Sequence, residues 1–365
     1  MQALVLAGGE GTRLRPLTST IPKPVVPLAG RPLIVYMLEW LRSHGVTEVI
    51  LACGYMADDV RAVLGDGAAL GLRLVYVEEP RPLGTGGALK FAENLLQERF
   101  LMLNGDVLTD IDLAAQIRQH EATGARATVA LIQVADPSAY GLVLLGDDRS
   151  VRAFVEKPGA GARSDAETAG NGVGDLVNAG VYVLERDVLD SIAPAGTTSS
   201  IERDVFPSLV GEGLFGHPTS GYWLDIGTPE RYLKATSDLL DGRAGRKAAA
   251  VSARQSAQTV DPVLVETGCR IGEGATVGPY VVLGPDVTVG HGAQIERAVV
   301  LRGASIGAGS TMCQAIICPH AQVGERCHLQ RDVVLGERAT VVSGSTVSAG
   351  ARIFPGVMFS EGVNL

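Results

Sequence analysis

Residues 271–295 read IGEGATVGPYVVLGPDVTVGHGAQI, and every sixth position is aliphatic: Ile271, Val277, Leu283, Val289 and Ile295. The period continues to Leu301 and, after a break, resumes at Ile317, Val323, Leu329, Leu335, Val341, Val347 and Ile353. Glycine often follows, as at Gly272, Gly278, Gly284, Gly290, Gly324 and Gly336. A step of six matches neither a helix, at about 3.6, nor an alternating strand, at about 2. It describes a triangular solenoid of short parallel strands, in which each repeat buries its aliphatic only by stacking on the next. One aliphatic points inward per face, and a glycine eases each corner.

Upstream the pattern changes. Residues 263–365 contain no Lys and no Trp, whereas 1–240 carry both Trp residues and most of the Lys. Between them GRAGRKAAAVSARQSAQTVDP, residues 242–262, is small and polar and reads as a linker. The expected organisation is therefore an α/β domain over 1–240, a linker over 241–262 and a β-helix over 263–365. Strand candidates in the first part are Ala3–Ala7, Val49–Ala52, Leu74–Glu78, Phe100–Leu103, Thr128–Val134 and Val181–Leu184. Helical stretches fall between several of them, at Pro32–Ser43 and Gly86–Arg99, and Ser199-Ser-Ile-Glu202 can form a capping box. Strand and helix in alternation predict a Rossmann-like, mainly parallel sheet covered by helices.

Composition narrows the function. A chain of 365 residues suits about two domains. A net charge of −9 without Lys/Arg clusters argues against nucleic acid as a partner. No apolar run reaches about 18 residues, so no membrane span is expected. The N-terminal MQALVLAGG runs into Glu10 and Arg13 without a basic leader and reads as a first strand. Five cysteines without a CxxC pair suit free thiols in the cytoplasm.

Several segments could carry chemistry. In LAGGEGTRLRPLT, residues 6–18, a strand ends at Ala7 and Gly8, Gly9 and Gly11 open a loop. Such a loop lets backbone N–H groups approach phosphate oxygens, with Arg13 and Arg15 adding positive charge. No Gly-Lys-Ser/Thr follows, and Leu14 stands where a dinucleotide fingerprint needs its third glycine. Pro22 and Pro24 flank Lys23 and favour an extended path through it. In LMLNGD, residues 101–106, an apolar strand ends just before Asp106, where ligands of open parallel sheets bind and a carboxylate can hold Mg²⁺. Asp225 in YWLDIGTPERY, residues 222–232, lies between apolar neighbours, while Thr228 before Pro229 fits a helix cap. Glu156 and Lys157 in FVEKP could hold sugar hydroxyls and a phosphate. Each segment alone has a plainer reading: a tight turn, a solvated lysine, a capping aspartate or a surface ion pair.

Together these segments resemble the sugar-1-phosphate nucleotidyltransferases, also called nucleotide-sugar pyrophosphorylases. The matching stretches are LAGGEGTRLRPLT, PKPVVPLAGRPLI, PLGTGGAL, LNGDV, AYG, FVEKP, NAGVYV, SIERDVFP and YWLDIGTPERY, in the family's order over most of residues 1–233. A left-handed β-helix of hexapeptide repeats is common behind that domain. LGTGGAL, SIERDVFP and WLDIGTP are most similar to the mannose-1-phosphate guanylyltransferase branch. The resemblance implies that Gly8, Gly9, Gly11, Thr12 and Arg13 wrap the nucleotide phosphates, with Leu6 and Ala7 near the base. It implies that Gly84 and Thr85 flank the base, Lys23 touches the phosphates being exchanged, and Asp106 and Asp225 share Mg²⁺. Lys157 would hold the sugar phosphate, and Glu156, Asn178, Gly180 and Gly141 would contact the sugar.

Both substrates are then polyanions, and Mg²⁺, Arg13, Lys23 and Lys157 would offset their repulsion. The attacking phosphate is already an anion, so no general base is required; His44, His120 and His217 are expected on surfaces or helix ends. Glu79 stands where thymidylyl- and uridylyltransferases of this kind usually place a base-reading Gln. A carboxylate only accepts hydrogen bonds, so Glu79, or its neighbour Glu78, favours the N–H edge of guanine and hence GTP. Gly87 after Gly86 is shared with some heptose-1-phosphate guanylyltransferases. Other readings are a thymidylyl- or uridylyltransferase acting on glucose 1-phosphate or an amino sugar, and a bifunctional nucleotidyl/acyltransferase with His291, His320 or His328 as base. A regulatory subunit without activity is a third. The tail, of about five coils, is expected to drive homo-oligomerisation to a dimer or tetramer. Its deletion would then change oligomeric size more than chemistry.

Overall fold

The computed structural model describes residues 1–134, 136–137, 140–155, 176–245 and 258–360. Two units emerge: Met1–Gly9 with Tyr36–Trp223, and Glu10–Val35 with Leu224–Leu365.

The first unit is built on nine strands: β1 (Gln2–Leu6), β2 (Glu48–Cys53), β3 (Arg73–Glu78), β4 (Arg99–Asn104), β5 (Ala127–Gln133), β6 (Leu142–Leu145), β7 (Val151–Val155), β8 (Leu176–Glu185) and β9 (Leu214–Pro218). Their order is β7-β6-β8-β4-β1-β2-β3, with β5 also on β8 and β9 on β5. The block β4-β1-β2-β3 is parallel, as the alternating pattern predicts, and its runs such as VILAC in β2 are apolar throughout because both faces are covered. Beyond β4 the ten-residue β8 runs antiparallel to β4, β5 and β6. There β6 and β7 follow one another without a helix between them and pair antiparallel, as strands joined by a short turn do. The core gathers Leu4, Ile50, Phe100, Met102, Tyr182 and Phe206.

Helices are α1 (Leu33–Ser43), α2 (Ala57–Leu64), α3 (Gly84–Phe91), α4 (Leu113–Thr123) and α5 (Pro229–Asp241). α3 is shorter than the expected Gly86–Arg99. Past Ala92 the chain tightens into a 3₁₀ turn, and the Gln97 N–H leaves the helix pattern to reach the Gln2 side chain at 3.0 Å before β4 begins. The predicted capping box is also rearranged. Ser200, not Ser199, caps a short π-helical turn, Ile201–Val205, and Asp204 accepts the Ser200 N–H at 2.7 Å. His120 lies at a helix end, as expected, in the last turn of α4, but is buried between Thr128 and Glu185, at 2.8 and 3.0 Å; His217, on β9, is buried against Gln119 at 2.8 Å. Burial lowers the pKa of both. No described helix is long and apolar enough to cross a membrane.

The second unit contains a parallel β-helix of three six-stranded sheets, one coil more than the repeat count suggests. The first sheet runs from Gln258–Thr259 to Thr346–Val347, the second from Val263–Val265 to Arg352–Ile353, the third from Arg270–Ile271 to Met358–Phe359. The inward aliphatics form one continuous buried core. The break in the period has a simple cause. Val300, not Leu301, pairs with Leu283 and Ile317 and enters the core, so two corners, after Ile295 and after Met312, are each one residue shorter. Apart from Gly278, whose φ is +114°, the glycines after the aliphatics serve close stacking rather than the corners: a Cβ on Gly290 would lie 2.5 Å from Ala308 N, and one on Gly324 2.5 Å from Ser343 N. The left-handed corner positions fall elsewhere and include Asp286, Arg297, Gln314, His320, Asp332 and Arg338. All five cysteines are free; Cys318 and Cys327 are buried, while Cys269 and Cys313 are partly exposed. Of the linker, residues 246–257 lie outside the described residues.

Candidate active site

In the first unit, the loop after β1 crosses the carboxyl ends of the parallel strands, where ligands of such sheets bind. The Ala7 N–H donates to Ala52 O at 2.8 Å. Gly8 then passes so close to β2 that a Cβ would lie 3.1 Å from Gly54 N and 3.4 Å from Glu79 Oε1. Gly9 faces open space, with nothing within 4 Å of such a Cβ. Leu6 is half-buried and Ala7 buried.

Glu79, just beyond β3, is oriented by two hydrogen bonds. Its N–H donates to Cys53 O at 2.9 Å, and its Oε2 accepts the Leu83 N–H at 3.0 Å. Burial raises its pKa, and the Leu83 N–H only partly offsets this. Glu78 instead points to solvent and pairs with Arg61 at 2.9 Å. Of the two candidate base readers, only Glu79 lies against the glycine loop. The thiol of Cys53, at the end of β2, is pushed up to about 12, first by burial and then by the nearby carboxylates.

Gly84 opens α3 with φ +74°, and a Cβ there would meet Ser199 O at 2.5 Å. Gly86 and Gly87 both donate to Ser199 O, at 2.9 and 3.2 Å. The Thr85 hydroxyl turns inward, donating to Glu202 Oε2 at 2.6 Å and accepting the Ile201 N–H at 2.9 Å. Glu202 also accepts from the Ser200 and Tyr182 hydroxyls, at 2.8 and 3.3 Å. Tyr182 in turn accepts an Asn178 amide N–H at 2.9 Å. A hydrogen-bonded network thus joins Thr85 to Asn178, with the Thr85 hydroxyl turned into it.

Asn178 and Gly180 lie where the β8 register shifts. The Asn178 N–H donates to Gly141 O at 2.9 Å, and its Oδ1 accepts the Gly180 N–H at 2.9 Å. Gly180 has φ +71°, and a Cβ would sit 2.8 Å from Asn104 Nδ2, so only glycine lets β8 approach the end of β4. Trp223 closes this side, donating to Ala179 O at 2.8 Å and meeting Tyr140 edge-on at 5.2 Å. Asp106 follows directly: the Gly105 N–H donates to Leu6 O at 3.0 Å, folding the turn over the end of β1. Glu156 and Lys157 lie outside the described residues.

The second unit holds Gly11, Thr12, Arg13, Lys23 and Asp225. Thr18 donates to Gly11 O at 2.7 Å, and a Cβ on Gly11 would lie 3.2 Å from Lys23 Cβ, so Lys23 packs against the glycine. Lys23 begins a 3₁₀ turn, Lys23–Val25, instead of continuing extended; the Val25 N–H reaches back to Pro22 O at 3.0 Å. Thr12 and Arg13 lie in another 3₁₀ turn, Thr12–Leu14. The Arg13 guanidinium lies on Gly227, where a Cβ would meet its Nη2 at 2.7 Å. Arg15 is tied to Glu10 at 2.8 Å on the surface. Half-buried Asp225 pairs with Arg231 at 2.7 Å, and Thr228 caps α5 as predicted.

Residues 2–242 match the nucleotidyl transferase family model. The chain belongs to that family. Residues 259–363 match the model of the GMPPB C-terminal domain. The chain is 36% identical to "Probable mannose-1-phosphate guanylyltransferase 1" of Oryza sativa subsp. japonica, over 97% of this chain and 96% of the relative. It is 38% identical to "Mannose-1-phosphate guanylyltransferase" of Mycobacterium tuberculosis, over 85% and 82%. Among solved structures it resembles HddC from Yersinia pseudotuberculosis complexed with GMP-PN, with TM-score 0.54 and 29% identity over 65% of this chain and 98% of that one.

Four further residues take part in these contacts without a functional role having been expected of them from the sequence. Glu202 and Arg231 lay inside quoted motifs, but each has charged neighbours, Arg203 and Asp204 or Glu230, so no local pattern marks either as paired inside the fold. Asn104 and Trp223 each stand two residues before a quoted aspartate, but nothing local distinguishes them. The histidines considered for acyl transfer, His291, His320 and His328, are all exposed, and His320 turns a corner with φ +58°.

Proposed function

We propose that this nucleotidyltransferase is a Mg²⁺-dependent guanylyltransferase that converts GTP and mannose 1-phosphate to GDP-mannose and pyrophosphate. The observation that carries the guanine assignment is the Glu79 carboxylate, held by the Leu83 N–H against Gly8, an acceptor suited to the N–H edge of guanine. The names of the relatives support mannose 1-phosphate. Gly87, shared with heptose enzymes, has a packing role that needs no special sugar: a Cβ would lie 2.7 Å from Thr197 O.

In this reading Leu6, Ala7, Gly8, Gly9, Gly11, Thr12 and Arg13 bind the nucleotide, with Glu79, Gly84 and Thr85 around the base. Gly141, Glu156, Asn178 and Gly180 receive the sugar, and Lys157 its phosphate. A sugar-phosphate oxygen forms a bond to the α-phosphorus while the bond to the β-phosphate oxygen breaks, and pyrophosphate leaves with the electron pair. Arg13 and Lys23 neutralise charge on the phosphates being exchanged. The donor set of Asp106 and Asp225, two hard carboxylates with phosphate oxygens alongside, fits Mg²⁺, which commonly takes one or two carboxylates and completes its shell from substrate and water. Bound there, Mg²⁺ would supply charge stabilisation at the α-phosphate. Catalysis is assigned to residues 1–240, with 241–262 as linker and 263–365 as the β-helix. The reading includes a cytoplasmic location, which five free thiols suit, and a homo-oligomer, dimer or tetramer.

The test is pyrophosphate release across nucleoside triphosphates crossed with sugar 1-phosphates, with and without Mg²⁺. GTP with mannose 1-phosphate is expected to turn over fastest. Asp106→Asn and Asp225→Asn should each lower turnover about 100-fold or more without lowering the melting temperature. Full activity in either would remove that aspartate from the metal site.

A further inference from the structure

On the second sheet of the β-helix, the side chains that alternate with the core residues form a ladder: Leu264, Val282, Val299, Ile316, Val334 and Arg352. The five aliphatics are between 0% and 4% exposed although they point away from the β-helix interior. On the other two sheets the equivalent positions carry polar groups such as Gln294, His328, Arg270 and Gln322, all exposed. The apolar ladder is therefore covered, and α5 is tied to it at both ends. Arg352 on the last coil pairs with Glu230 in the first turn of α5 at 3.1 Å, and Tyr280 near the second coil donates to Asp241 at its end, at 3.3 Å. The lengths agree. Glu230 to Asp241 spans ~16 Å of helix axis. From the rung of Val282 to that of Arg352 there are four strand spacings, ~19 Å. Helix α5 runs along the ladder with Tyr232, Leu233, Ala235, Leu239 and Leu240 buried.

The first turn of α5 also holds the predicted chemistry. Arg231 grips the Asp225 carboxylate, Arg13 lies on Gly227, and the Tyr232 hydroxyl donates to Pro27 O in the segment that carries Lys23. The tip of that segment rests on the first coil, where a Cβ on Gly30 would lie 3.2 Å from Leu264 and 3.3 Å from Glu266.

We infer that the β-helix positions the metal-site aspartate: the Arg352–Glu230 pair on the sixth coil fixes the start of α5, and through Arg231 it aims Asp225. This rests on the assignment of Asp225 proposed above. Arg352 and Glu230 are positioning residues, remote from substrate in the chain of contacts, and the β-helix must be six coils long for Arg352 to reach the helix start.

The experiment compares Arg352→Ala, Arg352→Lys, Glu230→Gln and the charge-swapped pair Arg352→Glu with Glu230→Arg in the full-length chain, with Asp225→Asn alongside. Arg352→Ala and Glu230→Gln should lower kcat roughly 3- to 10-fold, below the ~10- to 100-fold typical of groups that directly support a metal ligand. The Mg²⁺ concentration for half-maximal rate should rise, with KM for GTP unchanged. Hydrogen exchange of residues 224–233, measured without Mg²⁺ or substrate, should quicken in both variants. The melting temperature should barely move, because a partly exposed ion pair contributes little to global stability. Arg352→Lys and the swapped pair should restore exchange protection and Mg²⁺ requirement. If Asp225→Asn abolishes turnover while the Arg352 and Glu230 variants match the parent in exchange and Mg²⁺ requirement, the inference fails and the assignment of Asp225 stands. If Asp225→Asn is fully active, both fall.

Discussion

Glu79 and Glu78 are adjacent, share a side chain and follow the same strand, yet only one faces the glycine loop. Successive strand residues point to opposite sides, and the chain bends as it leaves β3, so Glu78 meets Arg61 in solvent and Glu79 meets Gly8 and Leu83. Glu79→Gln keeps an oxygen for the Leu83 N–H but places donors where guanine presents its own. The preference for GTP over UTP should fall about 10-fold or more, because an unpaired buried polar group costs ~1–3 kcal/mol. An unchanged ratio would take Glu79 out of base reading. The raised pKa adds a pH signature. The recognising form is the carboxylate, so KM for GTP should rise as pH falls through that elevated value. The rise should begin at a higher pH than an ordinary carboxyl would give, and Glu79→Gln should abolish it.

Within the β-helix, two kinds of glycine do different work. At Gly290 the next coil leaves no room for a Cβ, while Gly292 sits at a left-handed corner with nothing within 4 Å. Gly290→Ala should destabilise by about 1–3 kcal/mol through forced separation of two coils. Gly292→Asn, which tolerates the left-handed region, should be near neutral. Thermal melts of both variants check this, and equal melting temperatures would contradict the stacking account. The period of six was legible because it is a property of the chain itself. The exchange of Leu301 for Val300 was not, since two corners each one residue short only show once Leu283, Val300 and Ile317 are seen in register. α3 likewise stops early because the Gln97 N–H finds a partner 95 residues away.

Across the molecule, the division into units does not follow the sequence. Residues 10–35, with Arg13 and Lys23, belong with α5 and the β-helix, not with the sheet that precedes and follows them. The β-helix is therefore part of the frame behind the cationic loop, and its removal should affect chemistry. Ending the chain after residue 348 leaves the earlier coils stacked but removes Arg352. Turnover should fall at least as far as in Arg352→Ala, read as pyrophosphate release per folded chain, with size measured by light scattering. A shortened chain that keeps full turnover would remove the β-helix from the frame of the site.

The six-residue period, the strand–helix alternation, the glycine loop at Leu6–Gly11 and the positions of Lys23, Asp106 and Asp225 could all be read from the chain in order. They rest on local spacing, which the backbone converts directly into strands, turns and helices. Folding alone chose Glu79 over Glu78, turned Thr85 inward to Glu202, buried His120 and His217, and set Arg231 on Asp225 and Arg352 on Glu230. Apart from the short-range Glu79–Leu83, His120–Thr128 and Asp225–Arg231 pairs, those choices join residues far apart in sequence. Which polar group is paired, and which loses its water, depends on what the rest of the chain brings alongside.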